Sequence, residues 1–406
     1  MCVTERNIST QNSQYEKKYT LASFFRTHWD DYLSNPKYPI KDHQRYAVQA
    51  IMKCRTEELG KDVYKCKDCG DKVDVFFSCK NRFCPTCSWR DTLNWAETLH
   101  SQLLNVPHRH VVMTLPHQLN SLIRRNPKFF YQILMKESAT LLKDYIQKVY
   151  NVEIGVVSVL HTYGERKNLH VHVHMIVSEC GIEMKSNRLK SIPISDKIDY
   201  LKLKESFRSR IINCLDLAYY KDDLIHNFTD EQAYTDFKDK LLEKKWIIHL
   251  EPPMNMPEQI IRYIGRYSKR ACLSEYKITD ISGEYISFRY KDYKEKTAEG
   301  KPKEKILRLH YRDFFPLLLQ HVPLPHFRLV RYYGVYNART KTPKSYTEKP
   351  AYRESEELTP FIDNRKECRI CSGSMKHIKT IIKPGSVLWF INQRKYKRKI
   401  KEKFAA

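Results

Sequence analysis

Three histidines alternate with aliphatic residues in His170-Val171-His172-Val173-His174-Met175-Ile176-Val177. A period of two is the signature of a strand, with one residue set on each face. Val171, Val173 and Met175 then face a core, and His170, His172 and His174 share the other side. Same-face neighbours on a strand lie roughly 6.5–7 Å apart, so two imidazoles can converge on one cation. The plain alternative is an exposed strand face with incidental histidines. Three on one side of a core strand weigh against it. Paired histidines serve hydrolases, oxygenases and nucleases alike, so this strand points to a metal and names no reaction.

A second chemical stretch is Pro257-Glu258-Gln259-Ile260-Ile261-Arg262-Tyr263-Ile264-Gly265-Arg266-Tyr267-Ser268-Lys269-Arg270. Pro257 fits the first turn of a helix. At about 100° per residue, Ile260, Ile261 and Ile264 form an apolar stripe and Arg262, Arg266, Lys269 and Arg270 a basic one. Tyr263 and Tyr267 fall on the seam, with Gln259 one turn earlier in the same row. Tyrosine is common at such borders without any chemistry. The adjoining basic stripe favours the chemical reading, because it can hold a phosphate against the two hydroxyls.

Cysteines supply the third signal. Cys66-x2-Cys69 and Cys84-x2-Cys87 are separated by 14 residues, the form of a closed tetrahedral zinc site. The reading is one structural Zn2+ on Cys66, Cys69, Cys84 and Cys87, with Cys54 and Cys79 spare and able to substitute. Cys368-x2-Cys371 is half of such a motif with no evident second half.

These groups need elements to position them. Helical spacing covers residues 21–60, and a helix runs through Trp95, Leu99 and Leu103. His110–Leu115, Ile154–His161 and Trp246–Leu250 read as strands, and 117–150 as helical. Residues 285–294 and 305–312 read as further strands. The expected organisation is a flexible 1–20, a helical zinc-binding domain at 21–105, an α+β domain at 106–338 and a basic tail at 339–406.

Lys and Arg number 72 against 47 Asp and Glu, a formal net charge of +25. So basic a chain suits a polyanion, nucleic acid first. No apolar run approaches the ~20 residues that span a membrane, and the polar N-terminus lacks a signal-peptide pattern. The 12 cysteines then imply a reducing compartment and metal binding in place of disulfides. No Gly-rich phosphate loop is present, which excludes an ATP-driven motor within this chain.

Taken together, Cys54-Arg55-Thr56 with Leu59-Gly60, SCKNRFCPTC (78–87), HVVMTLPHQL (110–119), LHTYG (160–164) with HVHMIV (172–177), PEQIIRYIGRYSKR (257–270) and HFRLVRYYG (326–334) resemble the rolling-circle transposases of bacterial insertion sequences. That family joins a zinc-binding domain to a two-tyrosine HUH nuclease domain, an antiparallel-centred sheet flanked by helices. The resemblance spans roughly residues 43–340. It implies Tyr263 and Tyr267 as nucleophiles, His172 and His174 as ligands of Mg2+ or Mn2+, and 5′-phosphotyrosine intermediates. Gln259 and His170 are candidates for a third ligand, with Glu258 and His249 behind them. Val171 stands where the family has proline, so a pair shifted to His170 and His172 is an alternative. Implied partners are single-stranded DNA of element ends and target, with room for host replication machinery, in the bacterial cytoplasm at the nucleoid. Competing readings are an inactive zinc-containing DNA-binding remnant and a metal-dependent phosphohydrolase.

Overall fold

Residue chemistry sets the starts and stops of most elements. Thr20 accepts a hydrogen bond from the Ser23 backbone N–H and starts α1 (Leu21–Ser34). There follow α2 (Asp42–Lys53) and a hairpin of β1 (Lys61–Cys66) and β2 (Lys72–Phe76). Pro85 opens α3 (Pro85–Gln102), where its missing N–H costs nothing. Then come β3 (His108–Thr114), a short α4 (Asn120–Arg125) and α5 (Pro127–Tyr150). Asn151, left-handed at φ 57°, ends α5. A long hairpin joins β4 (Val152–Tyr163) to β5 (Leu169–Glu183), and β6 (Leu189–Ser191) pairs with the end of β5. After α6 (Tyr200–Tyr220), α7 (Glu231–Leu242) and β7 (Ile247–Leu250), a meander of β8 (Ile278–Ser282), β9 (Tyr285–Lys296) and β10 (Pro302–His310) leads into α8 (Tyr311–Leu319). The last strands are β11 (Val330–Gly334) and β12 (Met375–Ile381). This computed structural model describes residues 19–183, 185–192, 199–254, 261, 271–340, 344–348 and 366–382, without the side chains of 89–94.

The central sheet runs β11-β4-β5-β3-β7 with antiparallel neighbours, so β5 lies in its middle. Alternation on β5 works as its spacing predicts. Val171, Val173, Met175 and Val177 enter a core shared with Phe130, Leu134 and Leu142 of α5 and Phe207 and Ile211 of α6. On the opposite face, Val157, Val159 and Ile176 are covered by Trp95, Ala96, Leu99 and Leu103 of α3, and by Ile261. Ile261 is helical and fully buried. The rest of the helix expected over 257–270, and with it Glu258, Gln259, Tyr263, Tyr267, Arg262, Arg266, Lys269 and Arg270, lies outside the described residues.

Three expectations are revised. The region 21–105 is not wholly helical, since β1 and β2 interrupt it; short amphipathic strands between cysteines carry little helical or strand periodicity to read. The boundary at 105/106 does not separate two cores. Phe24, Phe25 and Trp29 of α1 pack with Phe314 and Phe315 of α8 and Ile286 and Phe288 of β9 in one cluster. The tail after 339 is not uniformly a tail, because β12 pairs with β1 and completes a sheet of order β12-β1-β2. Among the described residues, no helix is long and apolar enough to cross a membrane.

His321, just after α8, ties that helix to the β4–β5 hairpin. Its Nε2–H donates to the Lys167 carbonyl at 2.8 Å, and its Nδ1 lies 3.0 Å from the Thr162 hydroxyl. Burial pushes its pKa down to about 4. Below the ordinary value of about 6.5 the unfolded chain takes up a proton that the folded chain refuses. Stability therefore falls as pH drops from about 6.5 to about 4. His321→Asn should flatten that slope by at most one proton, roughly 1.4 kcal/mol per pH unit. Denaturant titrations of both proteins across this range check it; identical slopes would contradict the neutral assignment.

Candidate metal centre

Antiparallel register decides which side chains meet. His172 stands opposite His161 of β4, and His174 opposite Val159. Directly opposed residues share a face, so His161 joins the histidine row of β5. His161, His172 and His174 offer ring nitrogens that all lie within 4.8 Å of one another. The two Nε2 atoms of His172 and His174 are 3.0 Å apart. Two ligands at right angles, each about 2.1 Å from one octahedral ion, sit about 3 Å apart. The residues thus fit a divalent cation.

The rings are oriented from behind. His172 Nδ1–H donates to the His170 carbonyl at 2.8 Å, which leaves Nε2 as the free lone pair. His174 Nδ1 lies 2.8 Å from His110 Nε2, with the two rings stacked in parallel at 5.0 Å. His110 Nδ1 in turn faces the Glu251 carboxylate at 3.4 Å. Glu251 is held by its backbone, since Arg109 donates to its carbonyl at 2.7 Å while forming a buried ion pair with Glu179. A carboxylate–histidine–histidine chain thus ends on His174 Nε2.

Electrostatics agree. Burial lowers the pKa of His172 to about 4 and that of His174 well below its ordinary value, with neighbouring imidazoles adding to the effect. His110 and His170 shift the same way by burial. At neutral pH His172 and His174 are uncharged and have lone pairs to donate.

The alternatives of the sequence resolve as follows. His172 and His174 converge, and the shifted pair His170 and His172 does not. His170 supplies its backbone carbonyl, with its ring 4.9 Å from that of His172. His249 lies on β7, separated from β5 by β3, and its Nε2 is 3.6 Å from a Glu251 carboxylate oxygen. His161, which joins this cluster, was not among the sequence candidates. It lies on the same strand face as Val157 and Val159, but a register shift between His161 and Tyr163 means that simple counting back from the turn puts it opposite Val171, so the sequence did not reveal its meeting with His172.

The cysteine set is corrected. Cys66 and Cys69 do not meet Cys84 and Cys87. Two separate four-cysteine clusters form instead: Cys54, Cys79, Cys84 and Cys87, and Cys66, Cys69, Cys368 and Cys371. In the first, Cys54 and Cys79 are ligand positions and not spares. Its Sγ–Sγ separations of 3.5, 3.6 and 3.8 Å match the ~3.8 Å edge of a tetrahedron with Zn–S of about 2.3 Å. Cys84 and Cys87 sit at the N-terminus of α3, where the helix dipole favours thiolate.

Fold and sites define an α+β protein with two four-cysteine clusters and a three-histidine cluster among its described residues, and the comparisons with known proteins say what it resembles. A family described as "Transposase zinc-binding domain" matches residues 24–115, and one described as "Putative transposase" matches residues 155–344. Over both stretches the chain is similar to transposases. It is 28% identical to "Putative transposase y4qJ" of Sinorhizobium fredii over 80% of this chain and 82% of the relative. It is 26% identical to "Transposase for insertion sequence element IS801" of Pseudomonas savastanoi pv. phaseolicola over 73% of this chain and 70% of the relative. No solved structure matches.

Removing the support behind His174 should loosen metal binding without unfolding the sheet. Glu251→Ala and His110→Phe should each weaken Mn2+ affinity by about 10–100-fold, the usual effect of losing an outer partner of a metal-bound histidine. Calorimetric Mn2+ titration measures this. Unchanged affinity in both variants would show that the chain does not orient the ligand.

Proposed function

We propose that the protein is a DNA transposase that nicks and rejoins single-stranded DNA at element ends and target through 5′-phosphotyrosine bonds. Tyr263 and Tyr267 are the nucleophiles. His172, His174 and His161 hold Mg2+ or Mn2+, with Gln259 available for a further position. Similarity to these transposases supports the transposase reading. One observation carries the chemistry: the three-histidine cluster and Ile261 occupy the same sheet face. Val159, which contacts the Ile261 cluster, pairs with His174, and Ile176 of that cluster follows His174 by two residues. Tyr263 follows Ile261 by two residues, so the two Cα atoms are at most about 7 Å apart, while at about 100° per residue their side chains leave a helix about 200° apart.

In the proposed reaction a tyrosine oxygen bonds to phosphorus, the P–O3′ bond breaks, and the departing 3′ oxygen takes a proton. Attack of a 3′-OH on the phosphotyrosine reverses the step and frees the tyrosine, so no ATP is consumed. A bound divalent ion supplies charge stabilisation at the nonbridging oxygens. Phenol ionises near pH 10, and Arg262, Arg266, Lys269 and Arg270 favour the phenolate and hold phosphate. Two tyrosines allow two covalent strands to coexist.

Two further surfaces support a nucleic-acid substrate. A groove at the outer edge of β11 is lined by Lys128, Lys136, Arg328, Arg331 and Arg339 together with Tyr332. Lys376, Lys65 and Lys72 stand directly opposite one another across β12, β1 and β2, all exposed. Directly opposed like charges destabilise a sheet, and a phosphate backbone relieves that repulsion.

Incubation with single-stranded element-end DNA and Mn2+ should give a covalent adduct on Tyr263 or Tyr267 that survives denaturation. His172→Ala should abolish it, and Tyr263→Phe/Tyr267→Phe should leave none. Free 5′-phosphate ends without adduct would instead support a metal-dependent hydrolase. Binding without cleavage by the wild type would support an inactive remnant.

The lysine row makes a separate prediction. Lys65→Ala/Lys72→Ala/Lys376→Ala should reduce the slope of log affinity against log salt by about 0.7 for each lost single-strand phosphate contact. Fluorescence anisotropy across a salt series reads it. An unchanged slope would remove this face from the interface.

A further inference from the structure

We propose that Cys66, Cys69, Cys368 and Cys371 hold a second structural zinc ion, and that this ion staples the C-terminal strand β12 to the N-terminal hairpin β1–β2. The family matches end at residue 344 and so reach neither Cys368 nor Cys371.

The two C-x2-C segments are the same turn built twice. In each, the backbone N–H two residues after the first cysteine donates to its sulfur at 3.4 Å: Asp68 to Cys66, and Ile370 to Cys368. In each, the first cysteine's N–H bonds the carbonyl five residues on, Asp71 at 2.8 Å and Gly373 at 2.9 Å. In each, the residue after the second cysteine is left-handed: Gly70 at φ 76° and Ser372 at φ 56°. In each, the first cysteine is buried and the second exposed. N–H groups aimed at sulfur stabilise thiolate, and such a turn presents two thiolates to one ion.

The turns face each other. Sγ–Sγ distances are 3.5 Å for Cys66–Cys371 and 3.6 Å for Cys69–Cys368. These match a zinc tetrahedron and far exceed the ~2.05 Å of a disulfide. β1 and β12 pair from Lys61↔Ile381 to Cys66↔Met375, which sets the register of the two turns. The apolar contents beside the sulfurs are few: Met375, Tyr64 and Val73. So small a cluster cannot by itself hold a strand whose cysteines lie 299 and 305 residues away in the chain. A metal supplies what the core lacks.

Metal analysis of the purified full-length chain should return two zinc ions, one for each four-cysteine cluster. Cys368→Ser/Cys371→Ser should return one. If that variant is insoluble, the wild-type chain exchanged with 113Cd decides: two four-sulfur resonances support the second site, and a single one overturns it. Alkylation with mass spectrometry must find all eight thiols reduced once metal is removed; a disulfide between the two C-x2-C segments overturns the proposal. For the staple, a specific protease site placed between residues 349 and 350 should leave the C-terminal fragment bound until a chelator releases it. Release on cleavage with zinc still present would overturn the stapling role.

Discussion

Everything at the metal centre depends on β5 being covered on both faces while carrying imidazole on one of them. A strand in the middle of a sheet has no edge to solvent, and layers of helix close it above and below. Charged histidine is expensive there. The site resolves this by keeping its rings neutral and giving their nitrogens fixed partners. Neutral, oriented imidazole is also what a divalent cation requires. Burial that would penalise an ordinary polar cluster thus prepares a ligand set.

How much of this was legible in the sequence depended on whether the signal was local. The period of two on β5 was unambiguous because both residue sets are chemically distinct, and its central place followed from its apolar run. The zinc knuckles were visible for the same reason: two ligands fit in four residues. Which knuckle pairs with which was not visible. Spacing of 14 residues suggested a site between neighbours, yet β1 and β2 carry Cys66 and Cys69 away on a hairpin of their own. Their partners lie some 300 residues on, and no local pattern encodes so distant a contact. The shared core of α1 and α8 escaped detection for that reason too: Phe25 stacks on Phe315 across 290 positions of sequence.

That long-range core has a mechanical consequence. α1, the segment of the first cysteine cluster and the β8–β10 meander form one hydrophobic unit, including Phe83, Cys84 and Cys87 beside Cys272 and Leu273. Ile261 packs on the central sheet, while Cys272 and Leu273 pack in this unit. Ile261 and Cys272 therefore belong to different cores, and Cys84 and Cys87 of the first cysteine cluster belong to the second.

The two central histidines are oriented by different means, and the difference matters. His172 is set by a carbonyl of its own strand, two residues back, so its tautomer is a property of the backbone and no side-chain change can remove it. His174 depends on a chain of side chains from another strand, His110 and then Glu251, with Arg109 anchoring the end. A proton on His174 Nδ1 requires an acceptor at His110 Nε2, which requires the other His110 proton to face Glu251. Each link fixes the next, so one carboxylate sets the lone pair of a ligand it never touches. Its negative charge also raises the basicity of that ligand. The pair is thus asymmetric by construction: one imidazole fixed by the fold, the other tuned by a carboxylate that substitution can reach.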